Sequence, residues 1–144
     1  MTKGESHNQN MKERLLLKQQ KKKIMKTAIV VFSDPKAGSE EALGRVINAM
    51  ATAYDYKNAG REVSIYFQGA GTRWPEELVK SDHPVHKLFK SVEDRVVGVS
   101  CGCSDVFGAN PSGFDLIKDN KVPGTTGLTS LLSIQDDGYN ILSF

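Results

Sequence analysis

The chain has 144 residues, 39% of them hydrophobic and 25% charged, with a formal net charge of +2. That is the length and mixture of one globular domain around one core. No stretch approaches the ~18 consecutive apolar residues of a membrane span. The positive charge gathers ahead of residue 27, past which the balance turns slightly acidic, so a nucleic-acid surface spread over the whole protein is not indicated.

Met1–Asn10 is polar and reads as disordered. Lys12–Met25 can form a helix but offers little to bury, so residues 1–25 read as a basic, flexible, solvated extension and residues 26–144 as the domain. The competing reading is an amphipathic docking segment built on Leu15, Leu16 and Ile24. Leu15-Leu16-Leu17 is too short for a secretory core and lysines follow it, so a reducing cytoplasm is the expected compartment.

Thr27–Phe32 is a continuous apolar, β-branched run, which suits a strand buried on both faces. A loop over Ser33–Gly38 leads to Ser39, placed as an N-cap with Glu40 and Glu41 in the first turn. Leu43, Val46, Ile47, Met50, Ala53 and Tyr54 then recur at helical spacing, and Gly60 ends the helix. Val63, Ile65 and Phe67 alternate as a second strand that ends at Gln68. Short helices are expected from Pro75 to Lys80 and from Pro84 to Val92. Arg95–Ser100 is a third strand, with Cys101 directly after it. Asp105–Lys118 reads as broken helix and Val122-Pro123 as a short strand or extended connection. Leu128–Asp137 reads as a helix closed by Gly138, and Tyr139–Phe144 as the last strand. This alternation predicts an α/β fold, a three-layer sandwich around a mainly parallel sheet of about five strands.

Open parallel sheets bind ligands beyond the carboxyl ends of their strands. That rule gathers three loops, Ser33–Gly38, Gln68–Trp74 and Cys101–Ala109, on one rim. Asp34, Gln68, Gly69 and Ser104 are the candidate substrate contacts there, and Cys101 and Cys103 the candidate reactive groups. The two cysteines are the only ones in the chain, and a bond across one residue restricts the unfolded chain little, so chemistry explains the pair better than a structural staple. A thiolate forms more readily at a helix N-terminus, and Gly102 allows a sharp turn, with Ser104 and Asp105 able to cap the next turn. Asp105 opposes a thiolate by charge. The plainer alternative is two small buried hydrophobes.

Other patterns compete. His83 and His86 form H-x-x-H and, with Cys101 and Cys103, would make a two-His, two-Cys zinc site, although C-x-C is tight for zinc and the histidines lie at a helix start. Exposed histidines without a metal are the expectation. Gly69-Ala70-Gly71-Thr72 follows a strand but lacks G-x-G-x-x-G and the Walker pattern, so no nucleotide cofactor is indicated. Trp74 reads as a lid over the sheet edge. No G-x-S-x-G elbow or complete Ser/His/Asp triad can be nominated.

Four passages in this order and spacing carry a family resemblance: T-A-I-V-V-F-S-D, V-S-I-Y-F-Q-G-A-G, V-V-G-V-S-C-G-C-S and L-L-S-I-Q-D-D-G-Y-N-I-L-S-F. From Lys26 to Phe144 the chain resembles the DsrE-like family of sulfur-relay subunits. The resemblance implies a flavodoxin-like sheet without bound flavin and a homo- or hetero-oligomer, a trimer or hexamer. It also implies that a cysteine just after a central strand accepts a persulfide sulfur from a donor protein and passes it to an acceptor. Cys101 matches that place. Cys103 has no equal counterpart, and Asp105-Val106-Phe107-Gly108 stands where relay members carry small residues and an arginine pair. The expected function is therefore sulfur transfer or thiol-redox chemistry through Cys101, with Cys103 resolving the persulfide. The alternatives are a non-enzymatic oligomeric subunit that binds a ligand or partner at the rim, and a zinc-binding module. Neither nucleic acid nor membrane is an expected partner.

Overall fold

In the computed structural model, which describes residues 3–144 without the side chains of Lys3 and residues 21–24, the apolar run near the N-terminus is the central feature. It forms β1 (Lys26–Val31), buried from Thr27 onward. The other strands are β2 (Glu62–Phe67), β3 (Val96–Ser100), β4 (Leu116–Ile117) and β5 (Tyr139–Ser143). They pair in the order β4-β3-β2-β1-β5, and every pairing is parallel. All carboxyl ends therefore share one rim, as expected for a flavodoxin-like α/β sandwich.

Helix α2 (Glu40–Asn58) crosses from β1 to β2. Ser39 caps it by accepting a hydrogen bond from the Ala42 N–H at 3.3 Å, and Gly60 leaves it at φ +70°. Ser39→Ala is expected to cost about 1 kcal/mol, read as a lower urea midpoint at unchanged slope. The buried stripe of α2 is Ala42, Val46, Ala49, Met50 and Ala53. It is narrower than the hydrophobic spacing suggests, since Ile47 and Tyr54 remain exposed. This stripe meets Ile29, Val31, Val63, Ile65 and Phe67 of the sheet, and α4 (His86–Val92) adds Phe89 and Val92 to the same core. The short α3 (Trp74–Leu78) brings Trp74 and Leu78 to it.

Right-handed crossovers that step from β1 to β4 keep their helices on one face. The return from β4 to β5 runs the other way and puts α6 (Leu131–Asp136) on the opposite face, where it packs on β5. Tyr66 lies half-buried on that face; its hydroxyl is held above the usual tyrosine range by burial, and further by Tyr139, Asp137 and Asp119.

Three local expectations are corrected. The short strand β4 falls at Leu116–Ile117, inside the stretch read as broken helix, and Val122-Pro123 lies in a turn. Gly98 makes the room: a Cβ there would stand 2.4 Å from the Asp115 carbonyl oxygen, which accepts the Val99 N–H at 2.8 Å. Leu128–Ser130 is not helical, because α6 starts only after Ser130, whose hydroxyl accepts from the Ser133 N–H. Finally, α1 (Lys3–Ile24) is helical through Lys3–Asn10, which read as disordered. Met11, Leu15, Leu16 and Leu17 are each at least half exposed on it, and the Ile24 side chain of the suggested docking segment lies outside the described residues. Among the described residues, no helix is long and apolar enough to cross a membrane.

Candidate functional site

The rim is built by the first residues past β1, β2 and β3. After β1, Asp34 caps a 3-10 turn over Pro35–Ala37 by accepting the Lys36 N–H at 2.9 Å. After β2, the chain turns through Gly69–Arg73, with Gly69 at φ +59°. Arg73 links three segments: Nη1 donates to both Asp34 carboxylate oxygens at 3.1 and 3.2 Å, and Nε donates to the Phe107 carbonyl at 3.2 Å. Its guanidinium also lies over the Phe107 ring. Asp34, nominated as a substrate contact, is thus engaged by Arg73 and its own turn. Trp74 is buried, and its indole N–H donates to Ser33 Oγ at 3.0 Å.

After β3, the helix α5 (Cys101–Phe107) begins at Cys101 itself. Both cysteines are free and partly exposed. Residues two apart on a helix point away from each other, so a Cys101–Cys103 bond needs the first turn of α5 to open. Gly102 is not the sharp turn anticipated from sequence; it is a buried helical residue. Its missing side chain makes room for the loop from β4 to α6, because a Cβ would stand 2.7 Å from Leu128 Cδ2 and 3.0 Å from the Gly127 carbonyl oxygen. The Gly102 N–H donates to that same oxygen at 2.7 Å.

This contact seats Thr126 over the thiol. Thr126 Oγ1 lies 3.4 Å from Cys101 Sγ and 2.5 Å from Asp105 Oδ2. A hollow of about 480 Å³ opens beside it, lined by Lys118, Lys121, Val122, Thr125 and Thr126 among others. A larger concavity of about 670 Å³ runs along the exposed face of α1, by Met11, Leu15 and Leu17, and holds no reactive group. Four buried side-chain oxygens, Ser100 Oγ, Ser104 Oγ, Thr129 Oγ1 and Gln68 Oε1, have no hydrogen-bond partner, and the two serines flank Cys101 in the chain. Such groups each cost about 1–3 kcal/mol unless something polar meets them. Gln68 and Ser104 are two of the residues nominated from sequence.

The zinc arrangement does not assemble. His83 Nδ1 accepts the Val85 N–H at 3.1 Å, and His86 Nδ1 donates to the Leu78 carbonyl at 2.8 Å. Among the described residues, no three of His, Cys, Asp and Glu come close enough to share a metal ion. Sequence reasoning missed Arg73 as the rim clasp and missed Thr126 altogether. The latter stands 25 positions beyond the cysteine, and its one local signal is the pair of glycines, Gly124 and Gly127, that brackets the turn.

An all-parallel five-stranded sheet covered by helices, with a partly exposed thiol at its carboxyl rim, defines a flavodoxin-like α/β sandwich. The chain belongs to the DsrE/DsrF-like family, whose sequence profile matches residues 25–144. It is 27% identical over 120 residues to the uncharacterized protein MJ0733 of Methanocaldococcus jannaschii, an alignment that covers 83% of this chain and 95% of that one. No solved structure matches the chain at a significant level.

Proposed function

We propose that the protein carries sulfane sulfur on Cys101 as a relay or thiol-redox subunit in a reducing cytoplasm, working within a homo- or hetero-oligomer between a donor and an acceptor protein. The observation that carries this reading is the position of Cys101: free, partly exposed, first in α5 and directly off β3 at the rim. In the proposed step the Cys101 thiolate attacks the outer sulfur of a donor persulfide. A new S–S bond forms as the donor's S–S bond breaks, and the donor departs as a thiolate that takes up one proton, matching the one Cys101 has lost. The reverse attack by an acceptor thiol unloads the sulfur, with no net oxidation. In the thiol-redox mode Cys103 resolves the persulfide once the first turn of α5 opens: its thiolate attacks Cys101 Sγ, the outer sulfur leaves as hydrosulfide, and the Cys101–Cys103 disulfide that remains is reduced by two external thiols, which leave as their own disulfide. Gln68, Gly69 and Ser104 line the rim for the incoming sulfur carrier, with Asp34 bracing it through Arg73.

Mass spectrometry after incubation with a persulfide donor tests this. The wild type is expected to gain 32 Da steps, on the order of one sulfur atom each, on the peptide that contains Cys101, as covalent thiol chemistry requires. Cys101→Ser is expected to gain none there, while Cys103→Ser still loads. Equal sulfur loading in Cys101→Ser would remove Cys101 from the chemistry.

A further inference from the structure

The geometry points to Thr126 as a proton switch on Cys101, set by Asp105. A threonine hydroxyl has one proton and two neighbours here, at 2.5 Å from Asp105 Oδ2 and at 3.4 Å from Cys101 Sγ. A carboxylate can only accept, and the shorter contact is the stronger one, so the proton goes to Asp105. What the hydroxyl then offers the sulfur is a lone pair, which favours an S–H that donates over a thiolate that must accept. When the carboxylate of Asp105 is drawn away, as by a basic side chain on a docking partner, the hydroxyl turns and donates to the sulfur. The thiol proton passes to solvent and the thiolate gains a hydrogen bond.

The position of Thr126 is enforced by its neighbours. Gly127 sits at φ +107°, and a Cβ there would stand 2.6 Å from the Lys118 carbonyl oxygen. Gly102 admits Leu128 and the Gly127 carbonyl against the first turn of α5. The backbone directly after the hydroxyl is therefore held against the helix that carries Cys101 and Asp105. Thr126 and Asp105 are both exposed, so a partner can reach the carboxylate and substitutions there disturb little packing. This switch rests on the reading of Cys101 as the reactive thiol, and in that reading the two residues are positioning residues.

The test is the rate at which iodoacetamide alkylates Cys101 at neutral pH, in a Cys103→Ser background so that one thiol is observed. In Asp105→Asn, the new amide can donate to Thr126 Oγ1 and free its proton for the sulfur. Alkylation is expected to rise about tenfold, the worth of one hydrogen bond to a charged group at a part-exposed site. Adding Thr126→Val to Asp105→Asn is expected to abolish that gain, and Thr126→Ser to preserve it. If the gain survives in the Val variant, the carboxylate acts by charge alone and the switch is wrong; if Asp105→Asn brings no gain, the switch is wrong as well. Alkylation needs no sulfur donor, so failure of the relay chemistry leaves this pattern intact, and failure of the switch leaves sulfur loading on Cys101 intact.

Discussion

Gly71→Ala is expected to lower the stability of the protein by about 3 kcal/mol or more, a large share of the 5–15 kcal/mol typical of a domain. A Cβ at this position would stand 2.1 Å from the Val31 carbonyl oxygen, 2.8 Å from its carbon and 3.2 Å from Phe32 Cα. These are backbone atoms at the end of β1, with no rotamer by which to move aside. Relief requires the turn after β2 to lift away from β1. That movement would strain the Gln68 N–H bond to the Val31 carbonyl, 3.0 Å long, and pull Arg73 from Asp34. The control is Gly44→Ala. Gly44 lies in α2 with nothing within 4 Å of the added atom, so helix propensity should raise stability by up to about 1 kcal/mol. Urea unfolding of the two variants is expected to move the midpoint in opposite directions. If Gly71→Ala unfolds at the wild-type midpoint, β1 and the turn after β2 are not in the contact described.

The second large loss is expected at Phe89, where alanine should cost about 3–5 kcal/mol. Phe89 is fully buried between the sheet and α2. Its ring meets Phe67 edge-on with centroids 6.4 Å apart and Phe114 at 5.8 Å. It joins the central sheet to the segment that leads into β4. Leucine keeps most of the volume but loses both ring pairs, each worth roughly 0.5–1.5 kcal/mol, so Phe89→Leu should fall between wild type and alanine. A leucine variant as unstable as alanine would mean that ring geometry, rather than filled volume, dominates at this position.

Much of the sheet was legible because burial on both faces writes itself as an unbroken apolar run. Thr27–Val31 followed that rule, while Phe32, read as part of the strand, lies past its end and is exposed; the alternation of Val63, Ile65 and Phe67 fixed the face that meets α2. Ser39 and Gly60 marked the ends of α2 through capping chemistry that acts within a few residues. What stayed hidden was set at long range. β4 holds two residues, too few for a periodic pattern, and exists because Gly98 admits Asp115 from a neighbouring segment. Gly102 looked like a turn residue because its local sequence is that of a turn. Its actual role depends on Leu128 and Gly127, which no local window contains. The site divides the same way. Cys101, Gln68 and Ser104 follow strands and could be placed on the rim by order alone, whereas the neighbour that touches the sulfur comes from the other side of β4.

The strand order has a consequence for how the chain comes together. β1 is paired on one side by β2 but on the other by β5, which brings Lys26 beside Tyr139 and Val30 beside Ser143. More than a hundred residues must be made, and the rest of the sheet laid down, before that second side can close. Until then an apolar strand offers its bare amides and carbonyls to any chain with the same need. Long-range parallel pairing is slow to form, so during synthesis this edge is the place where one nascent copy would most readily capture another. Helix α1, exposed over residues 4–20 and carrying the same basic charge on every copy, precedes β1 and is positioned to keep such edges apart.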